Sequence, residues 1–251
     1  MQILKTHSLS IGYTNKTIAS DIDIALEAGD IVALIGPNGA GKSTLFKTLS
    51  GHLKPVAGTI EINGENAENV TAKERAKMMS IVLTERPDDM FLTVREIVAS
   101  GRFPYSGMFG KLSENDDEKI KESLEIIGIK HLSNRLFNTL SDGERQKVMI
   151  AKSIAQDTPI IFLDEPTAFL DYPSKIELFS ILRRLSKEQK KTIIFSSHDL
   201  ELLLRYTDSL WVMGKQLPFI KGRCSELLKN GKIQEYFNLQ DTDNEYLTNR
   251  I

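Results

Sequence analysis

Residues 31–44, IVALIGPNGAGKST, restrict the possible folds more than any other stretch of the chain. A short apolar run, Ile31 to Ile35, leads directly into Gly36, Pro37, Asn38, Gly39, Ala40 and Gly41. Lys42, Ser43 and Thr44 then open a segment that reads as a helix. Glycines allow consecutive backbone N–H groups to curl around an anion. The helix that follows turns the positive end of its dipole toward the same point. The spacing G-x-x-x-x-G-K-[ST] is carried by Gly36, Gly41, Lys42 and Ser43. It adds a lysine ammonium for the β- and γ-phosphates and a hydroxyl that faces Mg²⁺. The stretch predicts a buried strand, a phosphate-binding loop and a helix in succession.

The rest of the chain keeps an α/β rhythm on both sides of an interruption. Residues 3–12 read as a strand with a turn at Gly12, and Ile18, Ile22, Ile24 and Leu26 alternate with polar residues as one half-buried antiparallel strand. The helix from Lys42 to Leu49 stops at Gly51. TIEING (59–64) and SIVLT (80–84) read as strands, and Thr71 with Glu74 forms a capping box that opens a helix between them. From about 85 to 150 strands disappear. Thr93 with Glu96 caps one helix, a loop runs from Gly101 to Leu112, and Ser113 caps another helix that ends at Gly128. The rhythm then resumes with strands IIFLDEP (160–166), TIIFSSH (192–198) and SLWVM (209–213) and helices over 174–188 and 199–206. Such alternation means a mostly parallel sheet with flanking helices. The expected layout is an α/β nucleotide-binding core from 1–84 and 151–215, an antiparallel β subdomain near its start, a helical subdomain over 85–150, and a C-terminal tail over 216–251 with two short helices.

Composition narrows the class. The 251 residues carry 32 basic and 34 acidic side chains, a net charge of −2. That excludes the basic footprint of a dedicated nucleic-acid binder, so no nucleic-acid partner is expected. Cys224 is the single cysteine, which rules out an intramolecular disulfide and fits a reducing compartment. The start lacks a signal-peptide layout, and no apolar run approaches the ~20 residues that span a bilayer. The expectation is a soluble protein that docks onto another. His7, His52 and His131 have no matching partners and read as structural.

Ligands in parallel sheets sit at the carboxyl ends of strands. Lys42, Asp164, Glu165 and His198 all follow strand ends and can converge on one phosphate. Asp164 ends a buried strand and suits Mg²⁺ beside Ser43. Glu165, the next residue, is placed to polarise a water for attack on the γ-phosphate.

The order of these motifs resembles the ATP-binding subunit of ABC transporters over nearly the whole chain. LSDGERQ (140–146) resembles the family's signature, IIFLDEP (160–166) its Walker B strand, and AFLD (168–171) its D-loop. His198 sits where the switch histidine belongs, and Tyr13 where an aromatic stacks on adenine. The resemblance implies a P-loop NTPase core whose two copies pair head to tail around two ATP molecules. Ser141 and the N–H of Gly143 would reach the γ-phosphate of the other copy, with Glu144 and Asp171 among the nucleotide contacts. Glu165 would be the general base, and His198 would hold the γ-phosphate and the water. Two residues depart from the pattern: Glu85 stands where the family has Gln and would add a third oxygen facing Mg²⁺, and Asp142 replaces the first Gly of the signature.

TVREIVASGRFPY (93–105) resembles a segment of importers for iron–siderophore, haem and cobalamin. That likeness implies a separate integral membrane permease, gripped by Arg102 and Phe103, and indirectly a substrate-binding protein. It places the chain peripherally on the cytoplasmic side of the cell (inner) membrane. An iron–sulfur cluster assembly ATPase is the alternative.

Overall fold

The computed structural model describes residues 2–14, 16–84, 91–107 and 111–237. Glu85 lies outside them. At the centre is β4 (Ile31–Ile35), whose residues are all buried. Ile31, Ala33 and Ile35 enter one apolar core, and Val32 and Leu34 enter another. Side chains alternate across a strand, so a run of five apolar residues requires cover on both faces. Four more strands complete a parallel set: β7 (Met79–Val82), β8 (Ile160–Leu163), β9 (Thr192–Ser196) and β10 (Ser209–Val212). The order is β10-β4-β9-β8-β7, and Ile31 lies opposite Ile193 while Val32 lies opposite Ser209. The loops that leave the carboxyl ends of β4, β8 and β9 therefore share one edge.

One face of this sheet is covered by a second, antiparallel sheet and by α1 (Lys42–Leu49). The long strand β1 (Gln2–Tyr13) pairs with β2 (Lys16–Ile22), β3 (Ala25–Glu27) and β5 (Ala57–Ile62), and β6 (Glu65–Asn66) pairs with β5. Gly12 lies within β1 rather than at a turn. The alternating stretch from Ile18 to Leu26 is two strands rather than one. The buried Thr6 hydroxyl donates to the Ile22 carbonyl (2.6 Å) and accepts from the Ile24 N–H (2.9 Å), taking the place of ladder bonds at the break. Ile22, Ile24 and Leu26 still point inward.

The other face carries most of the remaining helices, whereas the helix before β7 packs its Met78 against the core of the first face. Thr71, Thr93, Ser113 and Ser141 each head a reciprocal capping box, opening α2 (Ala72–Met78), α3 (Val94–Ser100), α4 (Glu114–Ile126) and α5 (Asp142–Ala155). Helices α3, α4 and α5 pack around Val94, Ile120, Phe137 and Val148. Then come α6 (Tyr172–Gln189), with Asp171 as its N-cap, and α7 (Leu200–Tyr206). Beyond residue 216 the chain is more than a tail. It adds β11 (Ile220–Arg223), antiparallel to β10, then α8 (Cys224–Lys229) and α9 (Lys232–Phe237), and buries Leu228, Ile233 and Tyr236 in the core. Cys224 is buried against the Thr207 hydroxyl, and burial pushes its thiol pKa up.

Arg102 overturns an expectation. It is only 3% exposed, so it cannot grip a permease. Its Nε donates to Asp116 Oδ1 (2.8 Å), a second guanidinium nitrogen donates to the Ala155 carbonyl (2.7 Å), and the Tyr105 ring lies 4.0 Å from its Cζ. The likeness of the 93–105 stretch put Arg102 at the surface, but a buried guanidinium with matched acceptors fastens the loop after α3 to α4 and α5. The neighbouring Phe103 is 63% exposed.

Candidate nucleotide site

The loop from Gly36 to Gly41 depends on glycine at two tight places. A Cβ on Gly36 would stand 2.2 Å from the Met213 carbonyl oxygen. Gly41, the N-cap of α1, has φ +104, and a Cβ there would meet Ile18 Cγ2 at 2.5 Å. The loop opens onto a cavity of about 350 Å³ lined by Ile18, Asn38, Gly39, Gly41, Lys42, Ser43, Thr44 and Glu165. The sequence marked Ile18 only as an apolar strand position; the pairing of β2 with β1 and its approach to Gly41 bring it over the loop.

Lys42 folds back on the loop, donating from Nζ to the Gly36 carbonyl at 2.8 Å. Burial lowers its pKa, and the nearby Glu165 and Asp164 charges oppose that shift. An ammonium held on carbonyls at the mouth of an anion nest is a ready counter-charge for phosphate. The Ser43 hydroxyl donates to Asp164 Oδ2 at 2.5 Å. Asp164 is buried at the end of β8, and its Oδ1 accepts from the Ser196 hydroxyl at 2.7 Å.

The next residue, Glu165, has φ +49, an uncommon conformation for a non-glycine residue. Its N–H donates to Ser196 Oγ (2.8 Å), and its Oε1 lies 3.0 Å from His198 Nε2. The sequence placed Asp164, Glu165 and His198 at strand ends, and the parallel register of β8 with β9 brings them together. Ser196, which joins Asp164 to Glu165, was missed; its only signal was the SSH run that ends β9. The Ser196→Ala variant is expected to hydrolyse ATP roughly ten times more slowly, because two polar groups lose their shared partner. Unchanged kcat in a phosphate-release assay would count against a positioning role.

Ser141, Gly143 and Glu144 stand apart from the phosphate cavity, at the start of α5. Glu144 accepts from the Ser141 N–H (2.8 Å) and hydroxyl (3.0 Å), bonds that hold its carboxyl pKa down. A Cβ on Gly143 would lie 3.1 Å from the Phe169 carbonyl oxygen, so the LSDGERQ and AFLD stretches form one continuous surface. Tyr13 is 53% exposed at the tip of the β1–β2 hairpin, beside Leu53, Pro55 and Val56 in a groove separate from the phosphate cavity. Among the described residues no group of three or more His, Cys, Asp and Glu could form a metal cluster, and no helix is long and apolar enough to cross a membrane.

A phosphate loop, a buried aspartate and a Glu–His pair at the carboxyl edge of a parallel sheet define an ATPase of the P-loop class. The ABC transporter family profile matches residues 19–168, and the chain belongs to that family. It is 40% identical over 241 residues to an uncharacterized ABC transporter ATP-binding protein of Methanocaldococcus jannaschii, covering 96% of this chain and 83% of that one. It is 37% identical to the iron(3+)-hydroxamate import ATP-binding protein FhuC of Bacillus subtilis, covering 95% of this chain and 89% of the relative. Among solved structures, an inward-facing metal-chelate type ABC transporter superposes with a TM-score of 0.83 at 28% identity, covering 95% of this chain and 90% of that one.

Proposed function

We propose that this chain hydrolyses ATP to drive import of an iron(III) chelate through a separate membrane permease. The observation that carries the reading is the Ser43–Asp164 contact beside the Glu165–His198 pair, at the mouth of the phosphate loop. Loop N–H groups and Lys42 bind the β- and γ-phosphates. Ser43 and Asp164 present two hard oxygens side by side, which fits Mg²⁺, an ion that takes one or two protein carboxylates and keeps its other ligands from water and phosphate. Bound there, Mg²⁺ would neutralise phosphate charge. Glu165 accepts the proton of the attacking water, and His198 orients Glu165 and faces the γ-phosphate. The role of Glu85 at the metal rests on sequence alone.

Two copies pair head to tail, so that Ser141 and the Gly143 N–H of one reach the γ-phosphate held by the other. The exposed Phe169 and Tyr172 beside that surface support a partner there. Asp171 serves the same surface while capping α6. Phe103, exposed in the 93–105 stretch, faces the permease on the cytoplasmic side of the membrane, and a binding protein delivers the chelate. The iron-chelate class is supported by the hydroxamate importer subunit and by the metal-chelate type transporter. No observation favours the iron–sulfur assembly alternative. The test is uptake of radiolabelled iron(III) hydroxamate by cells lacking this gene. Uptake should return with the wild-type chain and not with a hydrolysis-dead variant; undiminished uptake in the deletion strain would overturn the substrate class.

Tyr13 stacks on adenine in this reading. Tyr13→Ala should weaken ATP binding by about 1 kcal/mol or more, the scale of base–aromatic stacking, while Tyr13→Phe keeps the ring and the affinity. Equal affinities for wild type and Tyr13→Ala by titration would remove the residue from the adenine site.

A further inference from the structure

Lys215 stands at the outer lip of the phosphate loop. Beyond β10, the Met213 N–H donates to the carbonyl of Ile35, the last residue before the loop, at 2.9 Å. A tight turn follows, with Gln216 at φ +61 and no room for a Cβ on Gly214 against Leu217. The Tyr236 hydroxyl donates to the Pro218 carbonyl at 2.5 Å, so α9 clamps the turn from behind. Lys215 then runs along Gly39, its Cε 3.8 Å from the place of a Cβ on that glycine. Its side chain is exposed, and among the described residues no hydrogen bond or ion pair engages it. It does not line the phosphate cavity. Its ammonium is presented to whatever closes over the loop.

The start of α5 carries the complementary charge. Glu144 is tied to Ser141 and lies 3.6 Å from Arg135. The Asp142 side chain is 64% exposed, with Arg145 at 3.8 Å, and Arg145 also donates to the Asn138 carbonyl at 2.9 Å. A carboxylate brought against a triphosphate on a second copy is repelled unless a cation there offsets it. Lys215 is that cation by position and by charge.

We propose that Lys215 of one copy pairs with Asp142 of the second copy when two cassettes close around ATP, and that this pair helps set their register. The inference rests on the head-to-tail reading above. It is tested by a charge-swap cycle in a Glu165→Gln background, which holds ATP, with ATP-dependent dimerisation read by sedimentation velocity. Lys215→Glu should weaken dimerisation about tenfold, and the effect should shrink as salt rises. Lys215→Glu with Asp142→Lys should return the affinity to within about threefold of the parent. A water-soluble carbodiimide should join Asp142 to Lys215 between copies, and only with ATP present. If the double variant loses the product of both single effects, or a stable dimer yields no such cross-link, the pairing is overturned and the head-to-tail dimer stands. If the parent does not dimerise with ATP, the head-to-tail reading falls and the pairing with it.

Discussion

The Glu165→Gln protein is expected to bind ATP as the wild type does and to hydrolyse it at least about a hundred times more slowly, the scale of a lost general base. Glutamine keeps the size of the side chain. The backbone that aims it, with φ +49 and the N–H held by Ser196, is untouched. His198 can still contact the side-chain oxygen that stands 3.0 Å away in the wild type. Only the capacity to take a proton from water is removed. Nucleotide titration and phosphate release, measured on the same preparation, separate binding from turnover. Wild-type turnover in this variant would exclude Glu165 as the base and move attention to His198.

Replacing Arg102 with alanine is expected to destabilise the fold by about 3–5 kcal/mol, the cost of breaking a buried ion pair from one side. The variant leaves Asp116 and the Ala155 carbonyl without their guanidinium donor. Lysine should rescue little, since one ammonium cannot span both acceptors as the planar fork does. Equilibrium denaturation should show a lower midpoint with an unchanged slope. A loss under about 1 kcal/mol would mean that water reaches Asp116 and the pair is not truly buried.

Asp116 also gives the pH dependence its sign. Hydrogen bonds from the Ser113 hydroxyl and N–H, together with Arg102, hold its carboxyl pKa down to about 2 from an ordinary 3.8. A depressed carboxyl stabilises the fold above its unfolded pKa, and that contribution is lost as pH falls through the folded value. Stability should therefore drop between about pH 4 and pH 2. The drop should be smaller in the Arg102→Ala protein, which lacks part of what holds the pKa down.

The local signals in the sequence determined a good deal. Each capping box satisfies its own backbone donors within four residues, so Thr71, Thr93 and Ser113 could be read as helix starts without knowing the fold. The phosphate loop is equally local: its glycines, Lys42 and Ser43 lie within eight residues and bring their own anion site. Apolar runs at β4, β8 and β9 marked strands covered on both faces, because only such strands lack alternation.

What the sequence could not decide depended on distant partners. Arg102 looked like a surface anchor because nothing near it in the chain announces Asp116 and Ala155. The stretch beyond residue 216 looked marginal until β11 found β10 and Tyr236 reached Pro218. Ser196 gained its place only when β8 and β9 aligned in parallel, setting its hydroxyl between Asp164 and Glu165. Lys215 met Gly39 only because β10 lies beside β4. Short-range hydrogen bonds and periodicity are written along the chain, whereas the environment of a single charged side chain is set by strand order and packing across the fold.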